Sequence, residues 1–181
     1  MREIPKRNGD MHWWDKRERS AMTLPIGTAK IPMTPEIPAF FHAMHDNHEV
    51  EAEKQSLRNG TAGYIPMDCQ EKPYKKLIHR MNVAIIGILG HDKWGYTGLW
   101  SNRLPKGGFH VEHTHPKGWM SGICYLDVPD TESGNLVFEG LTIKPETGDV
   151  VVFPSTLKHS VSVYQGEKPR LVVAFDLLRM A

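Results

Sequence analysis

Three histidines stand at spacings that suit one metal ion. The segment GGFHVEHTHPKGWMSGICYL carries His110, Glu112, His113 and His115 within six residues. It reads as a strand, and successive side chains on a strand point to opposite faces. His113 and His115 share parity with Phe109 and Val111. That apolar, odd-numbered face is expected to turn inward, with His110 and Glu112 outward. Two imidazoles two residues apart on one strand face reach a single ion, and imidazole suits divalent iron, zinc or copper. A third ligand has to come from another strand, and His159, in GDVVVFPSTLKHSV, is the remaining downstream histidine. The literal His-x-Glu pair, His110 with Glu112, is the alternative and ranks lower by parity.

The other histidines lack such company. His42, His45 and His48 sit three apart on a predicted helix, among Asp46, Asn47 and Glu49, which suits a half-exposed face better than a metal stripe. His12, His79 and His91 stand alone. Near the histidine strand, Asn102 and Arg103 are candidates to approach a substrate from a strand end. Trp119 is a candidate for the mouth of the site, and Trp100 reads as core or pocket wall. Lys158 is expected to point away from the metal.

The elements that must position these residues come in two textures. Residues 1–20 show no period and read as an arm. Residues 21–38 carry four prolines and suit extended segments and turns, including an edge strand. Residues 36–56 and 71–89 read as helices, each with a proline near its start. The first fades at Asn59-Gly60; in the second, Tyr74, Leu77, Ile78 and Met81 form one face and Gly90 ends it. From Trp94 onward, short apolar runs alternate with turn residues. Eight strands are predicted, at 96–103, 108–115, 120–127, 135–138, 141–144, 149–153, 159–164 and 170–177. The fold class is mainly β with N-terminal helices: a jelly roll, or double-stranded β-helix, of about eight strands. One domain over 1–181 is expected, with a helical support at 21–93 and the jelly-roll core at 94–178.

Composition bounds the function. The 181 residues carry 22 basic and 21 acidic side chains, a net charge of +1, too even for a general nucleic-acid or membrane-surface binder. Cys69 and Cys124 are too few for a disulfide framework or a four-thiolate zinc site. With no apolar run long enough for a signal peptide or membrane span, a cytoplasmic location is expected. A homodimer formed by exchange of the aromatic arm stays an open alternative.

Several motifs together resemble a family of small 2-oxoglutarate- and Fe(II)-dependent oxygenases. They are His113-x-His115-Pro116, Ser121-Gly122-Ile123-Cys124-Tyr125-Leu126, Gly148-Asp149-x3-Phe153-Pro154-Ser155-x3-His159, and Arg170. The resemblance spans about residues 94–178. It implies a double-stranded β-helix holding Fe(II) through His113, His115 and His159, with His115 where the superfamily usually has a carboxylate. It implies that Arg170, eleven residues after His159, pairs with the far carboxylate of the cosubstrate 2-oxoglutarate, a bidentate contact that suits a guanidinium. The family often has a serine two residues after the arginine. Here Val172 stands there, and Tyr125 or Ser121 is the candidate hydroxyl. The implied activity is a dioxygenase that consumes dioxygen, releases succinate and CO2 and hydroxylates a small molecule or side chain.

Two rivals remain open. Gly148-x5-Pro154-x4-His159 also has the spacing of the second cupin motif, so a three-histidine cupin that makes no use of 2-oxoglutarate is the alternative: another dioxygenase, an isomerase or a small-molecule binding module. A solvent-facing Arg170 would favour the cupin. A jelly-roll interaction protein with structural histidines is the third reading.

Overall fold

The computed structural model describes His12–Trp13, residues 25–47 and residues 56–181. Apart from His12–Trp13, the expected N-terminal arm lies outside the described residues, as do His48 and the expected helical stretch through 55.

Two antiparallel sheets face each other. The larger contains β1 (His12–Trp13), β2 (Gly27–Lys30), β4 (Thr61–Tyr64), β5 (Trp94–Leu104), β7 (Met120–Asp127), β10 (Asp149–Pro154) and β12 (Arg170–Arg179), in the order β1-β2-β10-β7-β12-β5-β4. The smaller contains β3 (Leu57–Arg58), β6 (Phe109–His113), β8 (Leu136–Phe138), β9 (Leu141–Ile143) and β11 (His159–Val161), in the order β3-β6-β11-β8-β9. This is the jelly roll, and all eight strands anticipated after Trp94 are present. Two helices, α1 (Glu36–Asn47) and α2 (Lys72–Leu89), accompany it.

The continuous apolar runs of the larger sheet follow from burial on both faces. On β10, Val150 and Val152 face the helices, while Val151 and Phe153 face the smaller sheet. The helix-side core joins Ile37 and Phe41 of α1 and Leu77, Met81, Ile85 and Ile88 of α2 to Leu99, Val173 and Phe175. The α2 face recurs at steps of three and four, as a 3.6-residue helix requires. Gly90, left-handed at φ 75°, caps α2 by donating its N–H to the Ile86 carbonyl. α2 can lie close to β2 because Gly27 has no side chain; a Cβ there would fall 2.2 Å from Ile88 Cγ2.

Asn59-Gly60 acts differently from the expected helix stop. Asn59, at φ 52°, turns the chain between β3 and β4, which belong to opposite sheets. Asparagine tolerates this left-handed conformation better than most residues. The turn closes one end of the sandwich beside the histidine strand, because Leu57 pairs with His110 and Tyr64 with Trp100.

Candidate metal and cosubstrate site

His159 begins β11, directly opposite His113 on β6. His115 lies just past the end of β6, where its N–H donates to the Ser155 carbonyl at the end of β10. These anchors bring one ring nitrogen from each of His113, His115 and His159 within 4.8 Å of one another, the one such donor cluster among the described residues. Burial keeps two of these imidazoles in the form that binds metal: it lowers the His159 pKa to about 4 and lowers that of His113. Both direct Nδ1 to a backbone carbonyl two residues earlier, Val111 at 2.8 Å and Leu157 at 2.9 Å. A ring that donates Nδ1–H to a carbonyl offers its Nε2 lone pair to a metal.

The alternation along β6 does not hold as expected. Val111 is 37% exposed, whereas His110 lines the same cavity as His113, with ring centroids 5.9 Å apart. The register against β11 explains this. His159 faces His113 and Val161 faces His110, so three residues advance on β6 for two on β11. A bulge of this kind resets which face a side chain takes. Glu112 does face outward, where it pairs with Lys158 at 3.3 Å. The His110–Glu112 pair is therefore split between cavity and surface and does not form a joint ligand pair.

The cavity has a volume of about 380 Å³. Opposite the histidines, β12 contributes Arg170, Val172, Ala174 and Asp176 to its wall, the even-numbered face of one strand. Arg170 is 3% exposed, and its Nη1 donates to the Gly134 carbonyl. Its guanidinium carbon lies 5.6 Å from the Tyr125 ring centre and 5.9 Å from that of Tyr164. Two polar atoms here are buried with no hydrogen-bond partner among the described residues: Nε of Arg170 itself and the neighbouring Tyr125 hydroxyl. Burial pushes the Tyr125 phenol up to about 12, so it is a hydroxyl donor at neutral pH. No carboxylate among the described residues pairs with Arg170. A buried cation and an idle donor side by side suit an anion that enters the cavity.

Ser121 also lines the cavity, but its hydroxyl is engaged with Ser155 at 2.9 Å and with Asp176 at 2.5 Å. Asn102 lines the cavity and is 7% exposed; Trp100 lines it too and stacks on His115 at 5.8 Å. Two candidates lie elsewhere. Arg103 is one residue out of phase with Asn102 on β5, so it faces α1 and pairs with Asp46. Trp119 stacks on His91 and under Arg179, away from the cavity lining. Of the helix histidines, His45 is buried rather than half-exposed, between the hydroxyls of Ser101 and Thr61. His42 meets Asp127 at 3.2 Å. Reading the histidines alone missed Asp176, yet the period of two from Arg170 places it on the cavity face.

A family model described as "Putative 2OG-Fe(II) oxygenase" matches residues 98–141 and 135–176, the stretch from β5 to β12. No curated protein matches the chain. Among solved structures, a Pseudomonas putida prolyl-4-hydroxylase is 17% identical, with a TM-score of 0.66 over 88% of this chain and 95% of that one. The viral collagen prolyl hydroxylase of Paramecium bursaria Chlorella virus-1, in its 2-oxoglutarate complex, is 17% identical, with a TM-score of 0.62 over 85% and 96%. HygX from Streptomyces hygroscopicus, with nickel and 2-oxoglutarate bound, is 12% identical, with a TM-score of 0.60 over 87% and 84%. The jelly roll, the three-histidine cluster and the family match over residues 98–176 together support the class of 2-oxoglutarate/Fe(II)-dependent oxygenases, oxidoreductases that use Fe(II) and 2-oxoglutarate. The donor set fits both, with imidazoles for the iron and a buried guanidinium for an anionic chelator. No described helix is long and apolar enough to cross a membrane.

Proposed function

We propose that the protein hydroxylates a C–H bond of a small molecule or a side chain, with His113, His115 and His159 as the iron ligands and Arg170 as the anchor of 2-oxoglutarate. Fe(II) and 2-oxoglutarate supply oxidative decarboxylation of the keto acid to succinate and CO2, with the second oxygen atom of O2 inserted into the substrate bond. The observation that carries the reading is Arg170, a nearly fully buried cation facing the same cavity as the histidines, with its Nε unpartnered. Such a group needs a carboxylate, and 2-oxoglutarate has one to spare beyond its chelating end. Tyr125 adds a hydroxyl donor from the adjacent strand. Trp100, Asn102 and His110 line the wall left for substrate, and they are uncharged at neutral pH: burial lowers the His110 pKa to about 3. That wall suits a neutral group better than a polyanion.

The buried Arg170 favours this reading over a cupin, which needs no cation there. The test is succinate formation from 2-oxoglutarate with Fe(II) and dioxygen, for the wild type and for His113→Ala. Uncoupled succinate release by the wild type, lost in the variant, is expected. Binding of Fe(II) without any binding of 2-oxoglutarate would overturn the proposal and favour the cupin.

A further inference from the structure

The cluster of three imidazoles contains no carboxylate, yet one stands against His115. Asp176 Oδ2 lies 3.4 Å from His115 Nδ1, and both side chains are about one-fifth exposed. His113 and His159 each present Nδ1 to a backbone carbonyl; His115 has no such carbonyl, and Asp176 occupies the equivalent place. The carboxylate is itself held. Ser121 donates to Oδ1 at 2.5 Å, and Ser155 lies 2.9 Å from Ser121, both serines being almost fully buried. No lysine or arginine among the described residues pairs with Asp176. The His115 ring is meanwhile stacked against Trp100 at 5.8 Å and His159 at 5.3 Å. These contacts are stacked, with interplanar angles of 28° and 13°, so the polar contact at its edge is with Asp176.

We propose that Asp176 is a positioning residue of the metal site, which acts through His115 by holding its Nδ1 edge so that Nε2 is directed at the ion, and which supplies the negative charge that the ligand set lacks. The inference rests on the reading of the three histidines as ligands. A carboxylate behind a ligating imidazole fixes its tautomer and raises its basicity; loss of such a partner typically weakens metal binding about 10- to 100-fold. Asp176 thus returns to the site, one shell out, the charge that is absent where His115 stands.

Co(II) is a suitable probe because its visible absorption reports coordination geometry. Titration of the wild type, Asp176→Asn and Asp176→Glu at pH 7.5 is expected to show Co(II) affinity about 10- to 100-fold weaker in Asp176→Asn, with an altered visible band, and partial recovery of both in Asp176→Glu. In a His115→Ala background, Asp176→Asn is expected to cause no further loss. Wild-type affinity and spectrum in Asp176→Asn would overturn the inference, as would an equal loss on both backgrounds, which would make Asp176 act on the metal directly. Should Asp176→Asn not fold, Ser121→Ala releases the same carboxylate and is expected to weaken Co(II) binding; unchanged binding there also overturns it. Failure of the wild type to bind Co(II) would instead sink the ligand assignment itself.

Discussion

His159 stands opposite His113 across the β6–β11 ladder, with the two rings 4.2 Å apart, centre to centre. Two residues distant in sequence become neighbours because the smaller sheet pairs strands from opposite ends of the core. Alanine at either position removes a proposed iron ligand while both strands keep their backbone pairing. Each variant is expected to bind Fe(II) more weakly than the about 10- to 100-fold typical for loss of an outer partner, with its circular dichroism spectrum retained. Isothermal titration with Fe(II) under anaerobic conditions measures this, and wild-type affinity in both variants would remove the histidines from the site.

Arg170 is a buried cation with no carboxylate partner among the described residues, and the proposed function gives it the far carboxylate of 2-oxoglutarate. Replacing it with methionine keeps the volume and removes the charge. Losing one partner of a desolvated charged contact costs about 2–5 kcal/mol, so 2-oxoglutarate affinity is expected to fall at least about 30-fold. In thermal unfolding, 2-oxoglutarate with Zn(II) is expected to raise the wild-type Tm and leave that of Arg170→Met unmoved. Equal shifts in the two proteins would show that the anion binds elsewhere.

The Tyr125 hydroxyl is buried and has no hydrogen-bond partner among the described residues. Its removal in Tyr125→Phe is therefore expected to leave the stability of the free protein unchanged or slightly raised, since no native hydrogen bond is lost. Affinity for 2-oxoglutarate is expected to fall about tenfold, the order of one hydrogen bond to a charged group. A urea midpoint well below that of the wild type would mean that the hydroxyl serves the fold instead.

His45 links α1 to the sheet through Ser101 and Thr61, each at 2.9 Å. Burial first, and then the charge of Arg103, lowers its pKa from 6.5 to about 4. As the pH falls below about 6.5, the unfolded chain takes up a proton that the native protein refuses. This contribution to stability is full above that point and is lost as the pH approaches 4. Urea midpoints between pH 7 and 4.5 are expected to fall more steeply for the wild type than for His45→Gln. Parallel curves would show that His45 does not carry the effect.

Gly27 lets α2 approach β2. Gly27→Ala places a methyl group against Ile88 and is expected to destabilise the fold by about 1–3 kcal/mol. Combined with Ile88→Ala, the cost is expected to be less than the sum of the two, since the second change vacates the space that the first requires. Additive losses in urea unfolding would argue that the contact is not the cause.

The order and texture of the elements were legible in the residues themselves. Turn residues between short apolar runs marked the strands after Trp94, and the 3–4 spacing of Tyr74, Leu77 and Met81 marked α2, because these patterns follow from local geometry. The motifs around His113, His115, His159 and Arg170 carried the resemblance to the oxygenase family. What the chain order left open was decided by pairing across the sheets. Strict alternation put His110 outside, and the bulge opposite β11 put it inside. One residue of phase on β5 separated Asn102 in the cavity from Arg103 on the α1 side. Asn59-Gly60 became a crossing between sheets because Leu57 and Tyr64 pair with different partners. Asp176 takes its place behind His115 only when β12 is laid beside β7, seventeen residues after His159 in the chain. Sequence periodicity specifies which residues share a face of one element. Which faces then meet is set by register, bulges and packing between elements far apart in the chain, and those are properties of the folded sandwich as a whole.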